Sequence, residues 1–135
     1  DRDALRAFVR ADEVRFQYFT GVRHPELIAP ETYTLDQYFL DRPESAENQL
    51  DLMYDYRNNV ALYPEFQRYF RTYQPNALIA WGDKDPYFLP AGALAYQRDL
   101  PQATIKFYDT GHFALETHVT KIARDILDFL NTLPG

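Results

Sequence analysis

The chain changes character at Pro75, and the residues beyond it allow few architectures. Ala77-Leu78-Ile79-Ala80-Trp81 is a continuous apolar run bounded by Pro75 and Gly82, the pattern of a strand buried on both faces of a sheet. A helical stretch from about Ala91 to Arg98 comes next, then Pro101 and a second strand pattern over Ala103–Tyr108. The last helix, from about Thr117 to Leu133, puts Val119, Ile122, Ala123, Ile126, Phe129, Leu130 and Leu133 on one face. Strand–helix–strand–helix is the order of an α/β fold, a parallel sheet with helices packed on it. Two parallel strands do not make a sheet that stands alone. The fold is therefore expected to be incomplete, with the other strands coming from a missing N-terminal half of the core. The isolated chain is expected to be poorly stable, aggregated, or intertwined with a second copy as a homodimer. It opens at Asp1 without a Met, inside a helical pattern, which suggests a fragment or processed product.

The part before Pro75 reads as helical throughout. Leu5, Phe8, Val9 and Phe16 recur among charges from about Asp3 to Phe19, and Gly21 with the two prolines of Arg23–Pro30 breaks that rhythm. Thr34 can cap a short helix carrying Leu35, Tyr38, Phe39 and Leu40, stopped by Pro43. A longer helix is expected from about Glu44 to Leu62, after which Pro64 starts or kinks another piece through Phe66, Tyr69 and Phe70. The chain thus divides into a helical unit, 1–73, and an αβ unit, 74–135. Tyr (11) and Phe (10) are abundant for 135 residues and lie mostly in the helical unit. Such a layer either lines a cleft for a small apolar molecule or forms an aromatic core or interface.

Composition narrows the function classes. Hydrophobic residues make up 46% and charged residues 25%, which is globular composition. A net charge of −6 argues against nucleic acid, whose phosphates need clustered Lys and Arg. No apolar run approaches a membrane span and no secretory signal is visible at the start, so cytoplasm is the default location. The absence of cysteine excludes disulfides and thiolate metal sites. The three histidines lack metal-ligand spacing, so neither a metal nor another cofactor is expected.

The chemistry is concentrated in two strand-to-helix loops, Trp81-Gly-Asp-Lys-Asp-Pro-Tyr-Phe-Leu-Pro90 and Asp109-Thr-Gly-His-Phe-Ala-Leu-Glu116. In an α/β sheet such loops gather at the carboxyl ends of the strands, where ligands bind. His112 follows Gly111 and can act as a general base, because an imidazole titrates near neutrality; a surface loop histidine would look the same. Asp83 and Asp85 compete for the acid that orients it. Asp85 precedes Pro86, which holds its backbone extended and lets the carboxylate reach a neighbouring loop. Asp109 fits a turn, Glu116 the start of the last helix, and His24 and His118 structural or solvent-facing positions. No nucleophile on a strand–turn–helix elbow is present: the only serine, Ser45, lies in Pro43-Glu44-Ser45-Ala46, a helix start.

Taken together, the two loops resemble the acid and histidine loops of α/β-hydrolase-fold enzymes. Trp81-Gly82 through Asp85-Pro86 and Pro90, and Gly111-His112-Phe113 with Glu116, are more similar to the haloalkane dehalogenase and epoxide hydrolase branch than to lipases. The likeness covers about the last 60 residues well and implies Asp85 as the triad acid and His112 as the water-activating base. By the same resemblance the helical unit occupies the place of a cap domain, followed by the last two βα units of the core. Tyr54-Asp55-Tyr56-Arg57-Asn58 is similar to a cap stretch whose tyrosine polarises an epoxide oxygen, which implies Tyr56 in that role. Phe16-Gln17-Tyr18-Phe19, followed by Gly21-Val22, more weakly resembles the segment of the second cap tyrosine and implies Tyr18, with Phe16 the alternative register. The implied reaction is hydrolysis of an epoxide or related small organic substrate through an alkyl-enzyme ester. Haloalkane dehalogenation, serine-ester hydrolysis, or an inactive binding or assembly piece are the alternatives. The absent nucleophile implies that the chain alone is inactive.

Overall fold

The computed structural model describes residues 1–133. After a 3₁₀ turn over Asp3–Val9, four helices precede the first strand: α1 (Ala11–Phe19), α2 (Pro30–Leu40), α3 (Ser45–Asp55) and α4 (Arg57–Tyr73). Then come β1 (Leu78–Gly82), α5 (Pro90–Ala95), β2 (Thr104–Tyr108) and α6 (Ala114–Asn131). β1 and β2 pair in parallel, with Leu78 opposite Thr104 and Gly82 opposite Tyr108. This is the α/β arrangement expected from the two strand patterns, and both strands fall after residue 74.

Three local expectations are corrected. Thr34 does not cap α2; the helix starts at Pro30, whose fixed φ suits the first helical position, and Thr34 lies within it. The expected helix from Glu44 does not continue to Leu62. It ends at Asp55, and Tyr56 alone separates it from α4, which then runs unbroken through Pro64. The Asn58 amide donating to Asp55 Oδ1 at 2.6 Å and the Arg57 guanidinium 3.7 Å from the Tyr54 ring consolidate that junction. The last helix begins at Ala114, not Thr117, and its backbone leaves helical geometry at His118, a kink the sequence pattern does not mark.

The sheet is less covered than a strand of continuous apolar residues predicts. Ile79 and Gly82 are buried in β1, but Ala80 is exposed and Phe107 of β2 is 37% exposed. α5 and α6 pack on β1, and no further strand lies beside either edge among the described residues. Val119, Ile126, Leu127 and Leu130 on α6 are likewise exposed, as are Tyr63, Phe66, Tyr69 and Tyr73 on α4. Apolar surface of this extent is what a partial core would show before its other half covers it.

The helical segment has a small core of its own in Val14, Tyr18 and Ile28, joined by Phe19, Val22, Tyr33, Leu40 and Phe113. Phe113 is the residue after His112, so α1 packs directly on the histidine loop; the Tyr18 and Phe113 rings are 4.3 Å apart. The 3₁₀ turn is tied to α3 by Arg2 and Arg6, which converge on Glu47. These two guanidiniums, Arg6 first, hold the Glu47 carboxyl down at about 2. No helix among the described residues is long and apolar enough to cross a membrane.

Candidate active site

Parallel pairing carries the two loops out of the sheet side by side. The ladder continues past the strand ends: Asp83 N–H donates to Tyr108 O at 2.9 Å, and Lys84 N–H to Thr110 O at 3.1 Å. Glycine makes so close an approach feasible. A Cβ on Gly82 would overlap the Gly111 carbonyl, and one on Gly111 would overlap the carbonyl of Thr20. Gly21, at φ +79°, lies against Lys84 and adopts a conformation disfavoured for other residues. Three segments distant in sequence therefore meet backbone to backbone: the end of α1, the end of β1 and the end of β2. Gly111→Ala is expected to destabilise the fold by about 1–3 kcal/mol, the usual cost of overpacking. A lowered thermal midpoint checks this, and an unchanged one would show that the loops can separate without cost.

At this junction Asp85 and His112 meet. His112 Nδ1 lies 2.9 Å from Asp85 Oδ2. The carboxylate is 6% exposed, and its other oxygen accepts the main-chain N–H groups of Tyr87 at 2.8 Å and Phe88 at 2.9 Å. Buried charge is tolerated when its lone pairs are met in this way. An ionised carboxylate only accepts, so Nδ1 carries the imidazole proton and Nε2 presents a lone pair. Aromatic rings surround the imidazole: Tyr87 and Phe88 at 5.2 Å and Phe113 at 4.9 Å between centroids. Trp81, at the end of β1, donates its indole N–H to Phe88 O at 2.6 Å and holds the acid loop from below.

The other acids are placed elsewhere. Asp83 is exposed, and Asp109 pairs with Lys84 and, at 3.1 Å, with Arg23. Those two cations, Lys84 first, lower the Asp109 carboxyl. Glu116 lies in the first turn of α6. His24 is bound to Glu26 at 3.1 Å, and His118 to Thr117 at 2.8 Å. Ser45 is the first residue of α3, away from either strand-to-helix loop.

The two tyrosines singled out from sequence occupy different settings. Tyr18 is buried on α1, its hydroxyl donating to Asp36 Oδ2 at 2.6 Å. Burial first, then Asp36, raises its phenol well above the ordinary value. Tyr56 sits at the junction of α3 and α4, half exposed, its hydroxyl 2.5 Å from that of Tyr63. Among the described residues Tyr56 has no hydrogen bond or ring contact with Asp85 or His112. An open cavity of about 380 Å³ between α1, α2 and α3 is lined by residues including Tyr18, Asp36, Phe39 and Met53, but by neither member of the pair.

The alpha/beta hydrolase fold family model matches residues 26–119, over half of the chain and including both loops. The chain belongs to the α/β-hydrolase fold family. This α/β-hydrolase chain is also 46% identical over 111 residues to an uncharacterized hydrolase of Saccharomyces cerevisiae. That alignment covers 82% of the chain and 38% of the relative, so the chain spans well under half of that relative's length. No solved structure matches the α/β-hydrolase chain at a significant level.

Sequence reasoning missed Tyr87, Phe88, Trp81 and the three-glycine junction. Tyr87 and Phe88 had a usable signal. An Asp that accepts the N–H groups two and three residues onward is an Asx-type turn, favoured where Pro follows the Asp. The approach of Thr20–Gly21 had none, because it depends on how α1 packs.

Proposed function

We propose that this chain supplies the proton-handling part of an α/β-hydrolase, with Asp85 orienting His112 and His112 activating water. The observation that carries the reading is the 2.9 Å contact between His112 Nδ1 and a buried, otherwise satisfied Asp85 carboxylate. Residues 1–73 form its cap and 74–135 the last two βα units of its core. The rest of the core, including the nucleophile and the donors that stabilise its intermediate, comes from outside these residues and covers the exposed sheet. A cytoplasmic location belongs to the same proposal, resting on the cysteine-free composition.

The substrate is a small apolar epoxide, and the nucleophile an aspartate. Its carboxylate attacks an epoxide carbon, the C–O bond of the ring breaks, and the oxygen takes a proton from a phenol. Tyr56 is that phenol; its contact with Tyr63 supports a pair of hydroxyls able to share one proton's movement. Water then gives a proton to His112 Nε2 and attacks the acyl carbon of the ester. The acyl–oxygen bond breaks, the imidazolium gives its proton to the departing alkoxide, the carboxylic acid left on the nucleophile returns a proton to the Tyr56 phenolate, and a diol leaves. Tyr18 enters only through packing, since its hydroxyl is held by Asp36 and its phenol is raised.

The test uses the completed protein, this chain joined to the remainder of its core, with an aryl epoxide, a haloalkane and a p-nitrophenyl ester as substrates. Turnover of the epoxide is expected, and Tyr56→Phe should lower it by roughly 10–100-fold through loss of one transition-state donor. Ester hydrolysis alone, unaffected by Tyr56→Phe, would make the enzyme a serine esterase. Halide release alone would make it a dehalogenase, and no turnover at all would leave an assembly piece.

A further inference from the structure

Tyr87 touches both members of the acid–histidine pair, and α1 holds it from behind. Its main-chain N–H donates to Asp85 Oδ1 at 2.8 Å. Its ring stands nearly perpendicular to the imidazole, at 69° and 5.2 Å. Phe8 and Phe16 contact it at 6.0 and 6.1 Å. Its hydroxyl donates to Glu13 on α1, 74 residues earlier in the chain. Burial first, then Glu13, raises the phenol, so it remains a donor at any working pH.

We propose that Tyr87 is a positioning residue for His112 and that Glu13 sets its place. The inference rests on the proposed role of His112 as the base. The imidazole is anchored by one hydrogen bond, at Nδ1. A single bond leaves the ring able to swing about the N···O line, and Nε2, at the far end, sweeps the largest arc. Rings packed on its faces remove that freedom. Phe88 is 55% exposed and has no polar tip, and Phe113 is the next residue along the chain. Tyr87 alone is fixed at both ends, by Asp85 through its backbone and by Glu13 through its hydroxyl. The charged groups facing this ring are those two carboxylates. The α1 helix thereby sets the geometry of a base carried by a loop far along the chain.

Four variants of the completed protein test this. Tyr87→Phe and Glu13→Ala each remove the same hydrogen bond and should lower kcat by about 5–10-fold with little change in KM, as a sub-ångström displacement of a reacting group does. Glu13→Gln keeps an acceptor oxygen and should recover most of what Glu13→Ala loses. Tyr87→Leu removes the ring and should lower kcat by about 100-fold. In nitrogen-15 spectra of the imidazoles, the His112 Nδ1–H signal should weaken and broaden in Tyr87→Leu, while His24 and His118 stay unchanged as internal references. If Tyr87→Leu fails to fold, the Tyr87→Phe and Glu13→Gln pair carries the decision. The proposal is overturned if Glu13→Gln is as damaged as Glu13→Ala, if the losses fall on KM, or if the His112 signal is unmoved. His112→Ala separates the two levels. Retained turnover in that variant defeats the reading of His112 as base, whereas an inactive His112→Ala beside an unmoved His112 signal in Tyr87→Leu defeats the role of Tyr87 alone.

Discussion

Intact-mass spectra of a His112→Ala variant of the completed protein, taken minutes after mixing with substrate, are expected to show the enzyme plus one substrate mass. The wild type under the same conditions should show only free enzyme. Asp85 accepts at Nδ1, so Nε2 is the atom with a lone pair, and it points away from the buried acid. Attack on the substrate needs only the nucleophile and a proton donor, and neither is His112. Hydrolysis of the resulting ester needs a base for water. Removing a positioned base costs about 10²–10⁴-fold in rate, enough to make the ester accumulate. If the variant turns over normally with no adduct, His112 is not the base. If it neither forms an adduct nor turns over, His112 acts in the first step, as it would in activating a serine.

Strand identity was legible because Ala77–Trp81 is an apolar run and Ala103–Tyr108 a strand pattern carrying Ile105, Phe107 and Tyr108, both too short for helices and followed by loops and amphipathic stretches. Parallel pairing followed from the helix between them. The neighbourhood of Asp85 and His112 followed in turn, since equivalent ends of adjacent parallel strands lie side by side. What failed was local and helical. Pro64 reads as a breaker, yet α4 passes through it, although no residue of that helix is buried. The break fell instead at Tyr56, where no Gly or Pro marks it. Burial of β1 on both faces failed for a different reason: an apolar run records the environment a strand evolved for, and part of that environment is not supplied by these residues.

The site divides in the same manner. Asp85 and His112 are short-range features, each readable from its own loop. Their support is long-range. Glu13 reaches Tyr87, Thr20 abuts Gly111, and Tyr18 stacks near Phe113. Each of those contacts joins the first thirty residues to loops beyond residue 80, and no periodicity or spacing encodes it. The segment before Ile28 thus buttresses the two strand-to-helix loops as well as forming part of the helical layer.

Asp85→Asn is expected to abolish turnover in the completed protein while leaving its fold almost unaltered. Asparagine is nearly isosteric, and its Oδ1 can still accept the N–H groups of Tyr87 and Phe88. Its amide nitrogen then faces His112 Nδ1, and as a donor it requires Nδ1 to accept. The imidazole proton moves to Nε2, the atom that must receive a proton from water. The base is present, correctly placed and in the wrong tautomer, and the loss in kcat should be about 10⁴-fold, the size of effect this substitution has on a serine-protease triad. Asp85→Ala is the informative contrast. It leaves two main-chain N–H groups without partners in a part-buried turn, at up to about 1–3 kcal/mol for each donor left unpaired. That variant should therefore lose both activity and thermal midpoint, whereas Asp85→Asn should lose activity only. Equal destabilisation in the two would mean that the negative charge, and not the accepting oxygen, holds the acid loop together. Near-normal kcat in Asp85→Asn would mean that His112 takes its orientation from the surrounding rings, with Asp85 serving only to shape its turn.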